Sequence, residues 1–93
     1  MELEWDEDKR QITLQHRGLD FADVERFDPD SIVTVPDLRA DYGEDRFNSY
    51  GRLDGTLCCF CWTPREGRVR VISLRKMNDR EQKIYEERRG GER

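Results

Sequence analysis

Apolar and polar positions change their spacing along this chain, and each change marks an element. Leu3 and Trp5 alternate with acidic residues and give way to Asp6, which predicts a short strand followed by a helix over residues 6–17, capped by Asp6 and closed by Gly18. The best stripe on that helix is Trp5, Lys9, Ile12 and His16, a weak one that sets a lysine and the only histidine beside its apolar contacts. Asp20 caps a second helix, and Phe21, Val24 and Phe27, spaced by three on one face, belong to the core. Asp28-Pro29-Asp30 breaks it, and the β-formers at 32–35 ahead of Pro36 predict a strand.

Residues 37–45 are polar, with a turn at Tyr42-Gly43-Glu44. Three strands follow. Residues 46–53 end at Asp54-Gly55, a two-residue hairpin signal, and 56–63 pair back. After a turn over 64–67 comes a strand over 68–74, with Arg68, Arg70 and Ile72 on one face and Val69, Val71 and Ser73 on the other. The last helix starts at Asn78, whose spacing to Glu81 is that of a capping box, and runs to about residue 89, where Gly90-Gly91 would end it. The order β-α-α-β-β-β-β-α, without βαβ alternation, predicts an α+β fold with a mostly antiparallel sheet.

Composition limits what this pattern can build. With 93 residues, 34% of them hydrophobic and 41% charged, the expectation is one small domain over residues 1–93, with a thin core to which a partner could add. The longest apolar run, residues 57–63, is about a third of the roughly 20 residues that a membrane span needs. The amino terminus lacks the basic and apolar regions of a secretory signal, so a cytoplasmic protein without membrane association is expected. Charge is unevenly placed. Residues 1–63 carry 7 basic and 15 acidic side chains, whereas residues 64–93 carry 10 basic, mostly arginine, and 6 acidic. Such a division suggests a basic surface for a polyanion; the plainer alternative is a solvated, salt-bridged face.

Cys58, Cys59 and Cys61 invite a metal reading, but only Cys59 and Cys61 share a strand face, which leaves two thiols where a structural zinc takes four ligands. They read better as small hydrophobes of a buried strand, and no metal or cofactor is expected. The segment from Arg68 to Lys76 differs, because one strand and its turn deliver Arg68, Arg70, Arg75, Lys76 and the hydroxyl of Ser73. Arginine forks grip phosphate oxygens and stabilise charge developing on phosphorus, and the helix from Asn78 adds Arg80 and Lys83. An edge strand charged to resist aggregation would look similar.

These residues also carry a resemblance. Leu3-Glu4-Trp5-Asp6 with Lys9 shortly after, Arg17-Gly18-Leu19-Asp20-Phe21, Asp41-Tyr42-Gly43-Glu44-Asp45-Arg46 followed by Gly51, and Arg70-Val71-Ile72-Ser73-Leu74-Arg75-Lys76 ahead of Arg80-Glu81 and Tyr85 resemble, in order and spacing, the BrnT family of toxins. The resemblance implies a RelE-like ribonuclease fold, metal-independent cleavage of RNA, and neutralisation by a BrnA-like ribbon-helix-helix antitoxin. It further implies a hetero-oligomer with at least two copies of each chain, bound to operator DNA through the antitoxin. It places Arg70, Ser73, Arg75, Lys76, Glu44 and Tyr85 at the catalytic centre and Lys9 and Arg46 on the RNA; His16, Arg80 and Lys83 join them there by position and charge. Two residues depart from the family pattern: Arg17 stands where many members have histidine, and Met77 where a small residue is usual. Cleavage would proceed by attack of the 2′-hydroxyl on the adjacent phosphodiester, with Glu44, Lys76 or Tyr85 as acid and base. The alternative is a non-catalytic module that binds RNA or serves as a corepressor, with Phe47, Tyr50, Phe60 and Trp62 as stacking platforms.

Overall fold

Two tight turns set the register of the sheet. In the computed structural model, which describes residues 2–91, Asp54-Gly55 and Glu66-Gly67 all adopt positive φ (50° and 84°, 52° and 79°), the pattern of two-residue hairpins whose twist matches the flanking strands. They join β3 (Phe47–Leu53), β4 (Thr56–Arg65) and β5 (Arg68–Lys76) into an antiparallel meander. The second turn is shorter than the predicted 64–67, because Pro64 and Arg65 stay in β4 opposite Val69 and Arg68. The β3 ladder ends at Phe47 opposite Trp62, so Pro64 sits where β4 has only β5 beside it and its missing N–H costs no bond to β3. Edge strands complete a mixed five-stranded sheet in the order β1-β5-β4-β3-β2: β1 (Leu3–Trp5) runs parallel to β5, and β2 (Val33–Pro36) antiparallel to β3.

One face of the sheet carries the main core. Phe21, Val24 and Phe27 pack there on Leu53, Cys58, Phe60, Val71 and Leu74. The segment that supplies them, Phe21–Arg26, is a 3-10 helix where an α-helix was predicted, with Asp20 at its N-cap. At three residues per turn, an interval of three keeps the apolar side chains in one line, which suits this helix better than the α form. The opposite face holds a smaller cluster, Leu57, Met77 and Tyr85 with Val33 and Tyr50, beneath α2 (Asp79–Gly91). α2 therefore continues past residue 89 through the two glycines. Its predicted capping box is present: Glu81 N–H donates to Asn78 Oδ1 at 2.8 Å and Asn78 N–H to Glu81 Oε1 at 3.0 Å.

A β-bulge decides which residues of β5 reach which face. Cys61 pairs with Ser73 but Trp62 pairs with Val71, leaving Ile72 as the extra residue. Val71 and Leu74 thereby both enter the main core, at 2% and 0% exposure, while Ser73 and Arg75 turn to the other face. Strict alternation, as predicted, would have left Ser73 with Val71 and buried Arg75.

α1 (Glu7–Arg17), capped by Asp6, also departs from expectation: it has no buried residue, Ile12 is 57% exposed, and Lys9 and His16 face solvent. It is fastened by arginines instead. Arg10 grips both carboxylate oxygens of Asp20 through Nε and Nη2 (2.8 and 2.9 Å), and Arg17 Nη1 donates to the Leu74 carbonyl at 2.9 Å. Beneath β3, Ser31 in the short 3-10 turn Pro29–Ser31 accepts the Arg52 N–H at 2.9 Å, and its carbonyl accepts the Tyr85 hydroxyl. A Cβ on Gly51 would lie 2.8 Å from Ser31 Oγ, so that close approach requires glycine.

Candidate active site

The bulge in β5 and the end of α1 converge at one end of the sheet. Arg17 reaches from the last turn of α1 to the Leu74 carbonyl, and this bond holds its guanidinium at an open cleft lined by Arg17, Leu19, Arg75 and Lys76. Lys76 is exposed and Arg75 half-buried. Cations drawn from two elements, with an opening between them, make a site for an anion the size of a phosphate. The cap of α2 follows directly in sequence, so the positive end of its dipole adds to the same region. Glu81 holds Arg75 by a two-pronged pair, Nη1 to Oε1 at 2.6 Å and Nη2 to Oε2 at 2.9 Å. That arginine holds the Glu81 carboxyl below its ordinary value; burial opposes it, and the cap of α2 adds a lesser lowering.

The remaining predicted site residues are dispersed. Ser73 is half-buried on the face shared with Cys61, two positions before Arg75. Arg70 lies further back along β5, beyond the bulge, where it pairs with Glu4 at 2.8 Å; Arg68 pairs likewise with Glu2 at 2.9 Å. These contacts cross the β1–β5 edge and give both arginines a structural employment. Glu44 and Arg46 sit in the loop between β2 and β3, paired with each other at 3.0 Å, with Arg46 over the Tyr42 ring at 4.0 Å. That loop leads into Phe47 opposite Trp62, whereas Lys76 is opposite Cys58, so at roughly 3.3 Å per strand residue they stand on the order of 13 Å apart along β4.

Tyr85 is 5% exposed, and its hydroxyl is spent on the Ser31 carbonyl. That bond ties α2 to the Pro29–Ser31 turn and engages the hydroxyl expected among the acids and bases. Lys9 and His16 lie on the exposed face of α1, His16 one position before Arg17, while Arg80 and Lys83 lie on the exposed face of α2. Arg17 and Glu81 complete the arrangement and were missing from the expected set. The only sequence signal for Arg17 was its place before the helix-ending glycine, where the family pattern has histidine. Glu81 stands in the sequence as a helix cap and within the stretch that carries the resemblance, with nothing there to mark it as a partner of Arg75.

The other groups weighed from the sequence are structural. Cys58, Cys59 and Cys61 are buried free thiols, and burial pushes Cys59 up to about 11 and raises the other two. Among the described residues no three His, Cys, Asp or Glu side chains come together as a metal-binding group. Phe60 is buried, Phe47 packs against Trp62 with ring centres 5.0 Å apart, and the Trp62 indole donates to Ser49 Oγ at 2.9 Å, so these aromatics are engaged within the sheet. A second recess, between β2 and α2, is lined by Val33, Val35, Tyr50, Ile84 and Tyr85, with Glu81 and Arg88 at its margin. Its apolar walls suit it poorly to a phosphate. No described helix is long and apolar enough to cross a membrane.

Among known protein families, residues 5–81 match BrnT, the ribonuclease toxin of type II toxin-antitoxin systems. No curated protein matches the chain.

Proposed function

Because this chain belongs to the BrnT family of ribonuclease toxins of type II toxin-antitoxin systems, we propose that it cleaves RNA without a metal ion at the cleft between the end of α1 and the end of β5. The observation that carries this reading is the gathering of Arg17, Arg75 and Lys76 around one opening. Arg17 and Arg75 hold the non-bridging oxygens of the scissile phosphodiester. The 2′-hydroxyl of the preceding ribose gives its proton to water and attacks phosphorus, the bond to the 5′-oxygen breaks, and the products are a 2′,3′-cyclic phosphate and a 5′-hydroxyl; the released proton returns through solvent to Lys76. Arginines stabilise the charge that builds on the phosphoryl oxygens, a contribution that typically reaches 10²-fold or more for one fixed donor. Lys76 is the member of the expected acid–base set that remains at the cleft, and it protonates the leaving oxygen.

Ser73, two positions before Arg75 on the same strand face, and the exposed side chains of Lys9, His16, Arg80 and Lys83 bind the flanking RNA backbone, with Arg46 and Glu44 at the far end of the sheet. The strand order and the two flanking helices support a RelE-like reading of the fold. A BrnA-like ribbon-helix-helix antitoxin covers the basic cleft in the cytoplasm, in an assembly with at least two copies of each chain that binds operator DNA. The test is the purified, antitoxin-free toxin: it degrades RNA and spares DNA, undiminished by EDTA, and Arg75→Ala lowers the cleavage rate by roughly 10²-fold, leaving a measurable remainder. Loss of cleavage on chelation would overturn the metal-independent route. Absence of cleavage under all conditions would favour a binding module.

A further inference from the structure

The cap of α2 and the cleft share one carboxylate. Glu81 Oε1 accepts both the Asn78 N–H at 3.0 Å and Arg75 Nη1 at 2.6 Å, while Oε2 accepts Arg75 Nη2 at 2.9 Å. Glu81 therefore grips the end of the guanidinium, using one N–H from each terminal nitrogen. A guanidinium has a second pair of parallel donors along its side, Nε–H and the other N–H of Nη2. Among the described residues no acceptor engages Arg75 Nε, and the Arg75 side chain is 38% exposed while that of Glu81 is 20% exposed. Free, the arginine side chain would spread over many rotamers.

We propose that Glu81 is a positioning residue for RNA cleavage: by clamping the end of Arg75 it turns the side edge of the guanidinium into the cleft, where that edge takes two oxygens of the phosphodiester. The inference rests on the reading of Arg75 as a phosphate ligand. Glu81 can do this because it is itself fixed, locked by the reciprocal bonds of the capping box to the first turn of α2. Two duties of one side chain, capping and clamping, can be separated by substitution. Glutamine serves as well as glutamate in a capping box, so Glu81→Gln keeps the cap while replacing one charged acceptor by an amide. Asn78→Ala removes only the side-chain acceptor of the Glu81 N–H; the Asn78 backbone N–H still holds Glu81 Oε1, so the clamp stays in place.

The experiment is single-turnover cleavage of a short RNA by the antitoxin-free toxin, with a thermal melt of each variant. Glu81→Gln is expected to lower kcat/KM by roughly tenfold to 10²-fold with Tm near that of the parent protein, as misplaced catalytic groups do. Asn78→Ala is expected to lower Tm with kcat/KM within about twofold. In an Arg75→Ala background Glu81→Gln should cost nothing further, because its effect passes through Arg75. Activity of Glu81→Gln at or above the parent level would overturn the proposal and identify Glu81 as an internal anion that masks Arg75. An equal loss in the Arg75→Ala background would overturn it in favour of a role independent of Arg75. Full activity of Arg75→Ala itself would overturn the cleft reading, and this inference with it.

Discussion

What an arginine can do here is decided by what already holds its guanidinium. Arg10, Arg68 and Arg70 have carboxylate partners that tie one element to another, Asp20, Glu2 and Glu4, and those contacts account for them structurally. Arg17 is tied to a neutral carbonyl, and Arg75 to Glu81 through its two terminal nitrogens with a longer bond from Nη1 to the Lys76 carbonyl at 3.4 Å, so both keep donors for a phosphate. Lys76 and Tyr85 make the contrast testable. Lys76→Ala removes an exposed charge, so stability should stay within about 0.5 kcal/mol while growth arrest on expression disappears. Tyr85→Phe removes a buried hydroxyl and strands the Ser31 carbonyl, so stability should fall by about 1 kcal/mol with cleavage retained. A denaturant melt beside a toxicity assay separates the two, and a Lys76→Ala protein that still arrests growth would remove Lys76 from the site.

Elements are positioned in this domain by polar locks as much as by apolar contact. The loop between β2 and β3 is an example: Asp37 is buried, takes two bonds from the Arg39 guanidinium at 2.8 and 2.7 Å and a third from the Arg39 backbone N–H at 3.2 Å, and the loop is tied to β4 where Thr63 donates to the Asp45 carbonyl. Arg39 holds the Asp37 carboxyl down at about 2, against an unfolded value of about 3.9. A carboxyl depressed in the folded state stabilises above its unfolded pKa, and that contribution is lost as pH falls through the folded one. Urea midpoints of the parent protein and Asp37→Asn should therefore differ by a constant amount from pH 5 to 8, and converge between about pH 4 and pH 2. Midpoints that stay equally far apart throughout would show that Asp37 acts by packing rather than by charge.

At the scale of the whole molecule, charge is divided between the basic final third and the acidic remainder, and a free ribonuclease must be covered. The antitoxin surface that covers the cleft should be acidic where it meets Arg17, Arg75 and Lys76, and the assembly should bring at least two copies of this chain together through a dimeric DNA-binding unit. Co-expression with the antitoxin, followed by size-exclusion chromatography with light scattering, checks this; a self-contained homodimer of this chain that stays active beside the antitoxin would contradict it. Much of that organisation is local and readable from residues. Asp6, Gly18, Asp54-Gly55 and the Asn78–Glu81 box act within a few positions of themselves, so caps, turns and the order of elements follow from the chain alone. The interval of three in Phe21, Val24 and Phe27 likewise gave the core side, although only packing on the sheet chose the 3-10 form. The site was not local in this sense. Arg17 and Lys76 are 59 positions apart in number, and what brings them to one cleft is a bond to a carbonyl of β5. The bulge at Ile72 has no mark that periodicity can read; it arises because Val71 and Leu74 both gain by burial in the same core, and that gain turns Arg75 outward to meet Glu81. Sequence determined which residues could bind a phosphate, and tertiary structure decided which of them stand together, because burial and partner choice are settled only between elements distant in the chain.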